Sequence, residues 1–180
     1  MLRFALVIVF FLAGCRAEAP PPPPPPPPAA PAAPDPVAAY EKLDARKAVP
    51  LLPMMANHQK QNMRDHLLAV QEIVAAVASD DFAAVEKAAG RIGYSEQMGQ
   101  MCTHMGAGAP GFTEQALAFH HTADRIADAA KKKDKAQVLV ELNATLQTCT
   151  ACHAQWRQQL VDEAGWQKAT ASAPPMGHGQ

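Results

Sequence analysis

Residues 134–160 read DKAQVLVELNATLQTCTACHAQWRQQL, and the fold turns on how this stretch is interpreted. Asp134 stands where a helix N-cap is expected, and Gln137 holds the capping-box position three residues on. Val138, Leu142, Leu146, Cys149, His153, Trp156 and Leu160 then recur at spacings of three and four, which predicts one amphipathic helix over the whole segment. On such a helix Cys149, Cys152 and His153 fall at i, i+3 and i+4, so one face carries two thiols and an imidazole. Cys-x-x-Cys-His is the attachment pattern of haem c. The two thiols add across the two vinyl groups of one haem, and the histidine that follows is carried under the ring to the iron. A thioredoxin-type redox pair and half of a zinc site are the competing readings. The first needs an α/β setting. The second needs another Cys/His pair at finger-like spacing, and Cys102 is the only other cysteine downstream of the N-terminus. Haem c is preferred to both.

The N-terminus points the same way. Met1-Leu2-Arg3 supplies a positive start, and Phe4 to Leu12 is an apolar run too short to span a bilayer. Leu12-Ala13-Gly14-Cys15 resembles a bacterial lipobox, in which the cysteine receives a diacylglycerol through its thioether and becomes the first mature residue. An ordinary signal peptide, or one anchoring helix, that happens to contain a cysteine is the plainer alternative. Residues 1–14 are therefore expected to be a lipoprotein signal, with lipidation at Cys15, and delivery is expected to the bacterial periplasm on the inner or outer membrane. From Arg16 to Pro36 the chain reads as a spacer. Pro20 to Pro28 is unbroken proline, which cannot enter a helix or sheet interior and adopts extended polyproline II. At about 3.1 Å per residue the run spans roughly 28 Å. A docking peptide for a proline-binding groove is the rival reading.

That leaves one domain over 37–170 and a tail over 171–180 that reads as disordered. Lys+Arg 16 against Asp+Glu 17 gives no basic face for nucleic acid. The domain is rich in Ala, Gln, Leu and Met, which favours helix. A first helix should start near Pro50 or Pro53 and run to about Ala78, with Met55, Gln59, Met63, His66, Val70, Ile73 and Val77 as its stripe. Ser79 or Asp80 should cap a second, carrying Phe82, Val85, Ala89 and Ile92 and interrupted at Gly93. Its continuation carries Tyr94, Met98, Met101, Cys102 and Met105. A third helix should begin at Thr113, with a Phe112–Leu117 staple around that cap, and pass through His120, Ala123 and Ile126 to Lys131-Lys132-Lys133. With the segment from Asp134, this predicts an all-α, up-down-up-down four-helix bundle with haem near the end of helix four.

Four helices with Cys149-x-x-Cys152-His153 near the end of the last, followed by Trp156 and Arg157, resemble the class II cytochromes c. These are the cytochrome c prime family and its low-spin relatives. The likeness covers about residues 50 to 160. It implies a residue of helix one facing the distal side of the haem, with an arginine four positions before it. Counting back from Ser79-Asp80-Asp81-Phe82-Ala83-Ala84, Met63 takes the distal position and Gln59 replaces the arginine, so Lys60 or Arg64 would have to meet the propionates. A methionine there implies a low-spin electron carrier; an apolar residue implies a five-coordinate, gas-binding (NO/CO) protein. His66, one turn on, is the runner-up iron ligand, and Met63 as plain core filler is the simplest alternative. The resemblance also implies pairing of two copies through the first two helices.

In such a bundle Met54, Met55 and His58 approach Met98, Met101, Cys102, His104 and Met105 at the haem end. Soft sulfur and imidazole suit Cu(I), so a copper-handling lipoprotein is a second alternative, against the simpler reading of a Met-lined haem pocket. No nucleophile–base pair stands out, so an enzyme is not expected. The expectation is a membrane-tethered monohaem cytochrome c exchanging single electrons with periplasmic or membrane redox partners. Cys149 and Cys152 anchor its one covalent haem c, His153 is the proximal ligand and Met63 the provisional distal one.

Overall fold

The computed structural model describes residues 35–173. The expected signal segment, Cys15, the proline run and most of the tail lie outside them. The described residues are mostly helical, in the order α1 (Pro36–Leu43), β1 (Lys47–Leu51), α2 (Pro53–Ala78), α3 (Phe82–Gly90), α4 (Glu96–Gly106), α5 (Phe112–Lys131), α6 (Lys135–Gln155), β2 (Trp156–Leu160) and α7 (Glu163–Thr170). The chain divides into two units, residues 1–41 and 42–180, and every element from β1 onward belongs to the second. Among the described residues no helix is long and apolar enough to cross a membrane.

Local chemistry sets the helix ends. Pro53 opens α2, where its missing N–H costs nothing. Asp80 follows the end of α2 at φ 56°, in the left-handed region, so the cap of α3 passes to Asp81, whose carboxylate accepts from the Ala84 amide at 3.0 Å. Neither Ser79 nor Asp80 performs that role. The break between α3 and α4 is built on Gly93: a Cβ there would come within 2.3 Å of Asp124 Oδ1, which accepts from the Tyr94 amide at 3.0 Å. Ser95 then caps α4. Before α5 the cap is Gly111 at φ 90°, a conformation glycine adopts without strain, rather than Thr113, whose hydroxyl donates to the Cys102 carbonyl. Asp134 caps α6, accepting from the Gln137 amide at 3.0 Å.

One core joins four helices. Ile73 of α2, Val85 of α3, Ile126 of α5 and Val138 of α6 are fully buried, and Ala69, Ala89, Ala123 and Ala130 let the backbones approach between them. A second, smaller core gathers Val49, Leu51, Ala56, Met105, Phe112 and Trp156.

Helix four is shorter than the periodicity predicts. Trp156 and Leu160 leave it for β2, which pairs parallel with β1 in the register Lys47↔Trp156 to Leu51↔Leu160. The cause is tertiary. Arg46 donates from Nη1 to the His153 carbonyl at 3.1 Å and the Trp156 carbonyl at 3.4 Å, satisfying acceptors that an ending helix leaves open. The Trp156 ring turns inward, edge-on to Phe112, and its Nε1–H donates to Gln115 Oε1 at 2.7 Å.

Candidate functional site

The last two turns of α6 carry Cys149, Cys152 and His153 onto the wall of a cavity of about 420 Å³. Both thiols are half-buried, and burial pushes their pKa values up, so they are held as neutral S–H groups. Cys149 packs against the four-helix core and Cys152 against the smaller one, so the cavity opens at the seam between the two. The end of α6 is fixed by a short clip. Arg46 holds the His153 carbonyl with one nitrogen and the Asp44 carboxylate with Nε at 2.9 Å and Nη2 at 2.6 Å. The guanidinium lowers the Asp44 pKa to about 2.

Facing α6, helix α2 contributes Gln59, Met63, Arg64, His66, Leu67 and Val70. Met63, Leu67 and Leu146 form an apolar rim, 41%, 70% and 39% exposed. Gln59 is buried and committed elsewhere: its Oε1 accepts from Gln158 Nε2 at 2.6 Å, tying β2 to α2. Of the two candidate replacements for the missing arginine, Arg64 lines the cavity and Lys60 does not. His66 stacks on Phe119 (centroids 4.7 Å apart) and stands edge-on to His120 at 5.5 Å. Burial, with His120 adding to it, lowers its pKa to about 4, so it is neutral at neutral pH.

Sequence spacing alone does not single out His120 as a ligand. It is buried, lines the cavity, and donates Nδ1–H to the Ile92 carbonyl at 2.8 Å. That bond fixes the tautomer and leaves Nε2 as the bare nitrogen; burial lowers its pKa. A signal is nonetheless present, since His120 lies in the apolar stripe of α5 with Ala123 and Ile126.

The methionine, histidine and cysteine cluster divides. Met98, Cys102 and Met105 face the cavity, and burial raises the Cys102 thiol to about 11. His104 meets the Trp166 ring edge-on at 5.6 Å, Met54 is exposed, and His58 Nε2 lies 2.8 Å from Met101 Sδ. Among the described residues no three His, Cys, Asp or Glu side chains converge on a metal position.

This donor set fits a haem. Two neutral thiols and an imidazole occupy one wall, a thioether stands on the helix across from them, and most of the remaining surface is apolar, with Arg64, His66 and His120 among its polar members and an exposed rim that a flat macrocycle would cover. The volume lies in the roughly 300–1,000 Å³ range of cofactor pockets.

No curated protein and no solved structure gives a match to this chain. A family model does: Cytochrome C' matches residues 107–157, from the turn before α5 through α6 to the start of β2. That span holds Cys149, Cys152, His153 and His120, while α2 with Met63 and His66 lies outside it. Over residues 107–157 the chain is similar to the cytochrome c prime family, which supports a haem-binding cytochrome.

Proposed function

We propose that the protein is a monohaem c-type cytochrome that carries single electrons, held at a bacterial membrane by lipid on Cys15. The observation that carries the reading is the meeting of Cys149, Cys152 and His153 with Met63 around one apolar cavity. On this reading α2, the α3–α4 pair, α5 and α6 are the four antiparallel helices of the bundle, and periplasmic or membrane proteins are the redox partners. Bound haem c supplies a one-electron iron couple. Cys149 and Cys152 hold it through thioether bonds from Sγ, and His153 offers an imidazole nitrogen to the iron. Met63 would offer its thioether to the iron from the α2 side, and a thioether ligand raises the reduction potential. The Arg46–Asp44 clip keeps the end of α6, and with it His153, in place. Leu67, Phe119 and Leu146 line the cavity with apolar surface that bound haem would cover, and Arg64 is the cation available to its carboxylates.

Optical spectra of the oxidised and reduced protein test this reading. A carrier with Met63 on the iron gives low-spin bands in both states, and Met63→Ala turns them high-spin, lowers the potential and opens the iron to CO and NO. A wild-type protein that is already high-spin and binds NO moves the function to gas binding. A switch produced by His66→Ala instead makes His66 the ligand.

A further inference from the structure

Five large apolar side chains stand in solvent along one seam of the molecule. On α2, Met63, Leu67 and Val74 recur at spacings of four and seven, so they share one edge of the helix. On α6, Leu139 and Leu146 lie two turns apart on one edge in the same way. Met63, Leu67 and Leu146 line the same cavity, so the two edges face each other. Val74 and Leu139, 53% and 48% exposed, do not line it. They carry the apolar strip onward to the end of the bundle where Lys135 of α6 meets Asp80. Helix α6 packs along α5 but touches α2 little, so the seam is not closed from within.

The strip is also nearly uncharged. From Leu142 to Trp156 the chain has no Asp, Glu, Lys or Arg. On α2 the carboxylates lie on another side: Glu72 is held by Arg91 at the end of α3, and Asp65, seven positions earlier, shares that side. Lys60 and Arg64 stand at the cavity end alone, and Arg64 is the one available to haem. A contiguous exposed apolar strip of this kind marks an interaction surface.

Size and charge choose the occupant. From Met63 to Val74 the strip is about 17 Å long, and two helices make it about 20 Å wide. A stable dimer buries about 800 Å² from each partner, more than twice this outline, whereas transient redox encounters form the small class of interface. A partner with a charged surface would lose water against this strip and meet no opposite charge. The matching partner is a small electron-transfer protein whose own redox group lies beneath an uncharged, apolar patch.

We infer that the α2–α6 seam is the docking face for such a protein, an inference that rests on the reading of this chain as a haem-bearing electron carrier. The cavity opens at one end of the face, so docking brings the partner to its mouth. The test uses the haem-loaded full chain in stopped flow. One electron donor is a reduced blue-copper protein whose copper lies beneath an uncharged apolar patch. The parallel donor is hexaammineruthenium(II), which needs no docking face. With the copper protein the wild-type rate constant should change less than about twofold between roughly 0.01 and 0.5 M ionic strength, because no charges steer it. The Val74→Glu, Leu139→Glu double variant changes exposed positions outside the cavity. It should lower that rate constant about tenfold at every salt concentration, a loss of about 1.4 kcal/mol. Its haem content, its far-ultraviolet circular dichroism and, at high salt, its rate with the ruthenium complex should match wild type. Equal copper-protein rates for the two chains overturn the docking face and leave the carrier reading standing. A wild-type rate that falls steeply with salt does the same, because it means a charged contact. Sedimentation showing a wild-type dimer that the double variant dissolves gives the face to a second copy and overturns the inference. A chain that takes no electron from the ruthenium complex overturns the carrier reading and this inference with it.

Discussion

Where α2 gives way to α3 the interior is Ala69, Ile73, Val85, Ala89, Ile126 and Val138. At the other end Val49, Leu51, Phe112 and Trp156 share the interior with polar ties: Trp156 to Gln115, Gln158 to Gln59, and Arg46 to the α6 carbonyls. Small residues close the first region by direct helix contact, with Val70, Phe119 and Cys149 at the edge it shares with the cavity. Large, soft and hydrogen-bonded residues frame an opening in the second. The four-helix core is closed by its own side chains, while the seam it shares with the smaller core, at Cys149 and Cys152, is left open to be shaped by what it binds.

The largest effect that would break this comparison comes from the Cys149→Ala, Cys152→Ala double change. Covalent haem should disappear from a denaturing gel. In hydrogen exchange, amides near Ile73 and Ile126 should stay protected while those of the β1–β2 ribbon lose protection. Simultaneous loss at both ends would show that the two cores are one cooperative unit. Next, Ile126→Ala, at a fully buried site, should cost about 2–5 kcal/mol and lower the denaturant midpoint of the entire helical signal. A smaller effect is expected from Trp156→Phe, which keeps most of the ring packing but removes the donor to Gln115. About 1 kcal/mol should be lost, with disturbance confined to the ribbon and the start of α5.

The smallest effect is a pH dependence. Asp44 has its pKa lowered from 3.8 to about 2 by Arg46. Folding therefore favours the ionised form, and the stabilisation is complete above the unfolded value and fades as pH falls toward the folded one. Melting temperatures of wild-type and Asp44→Asn protein should differ at pH 6 and converge as pH falls from about 4 to 2. A gap that persists at pH 2 would assign the clip to something other than charge.

Much of the helical body is legible in the sequence. Pro53 and Asp134 mark helix starts through their own chemistry, and the stripe from Met55 to Val77 is long enough to define α2 without help from its neighbours. The end of α6 is not legible. Trp156 continues the three-and-four spacing from His153, and no glycine or proline follows before Gly165. What stops the helix is Arg46, far away in the chain, together with a strand whose Pro50 reads equally well as a helix start. Periodicity puts His120 on its stripe, but the lock on the Ile92 carbonyl that sets its tautomer is a tertiary contact no spacing reveals. The same holds within the methionine and histidine cluster, where composition supplies the members and only geometry separates His58 and Met101 from those facing the cavity.

The parallel pairing of β1 with β2 also has a kinetic meaning. Arg46 and His153 are separated by 107 positions in the chain, and the ribbon joins segments just as remote. Closing so long a loop is entropically costly, and contacts of this kind form late in folding. The α5–α6 hairpin can assemble from neighbouring sequence well before the first strand arrives to cover the end of α6. During that interval the Cys149–His153 turn stands as an open helix terminus, approachable from solvent. On the proposed attachment of haem to Cys149 and Cys152, chain topology would leave the end of α6 open until the extremities of the domain meet.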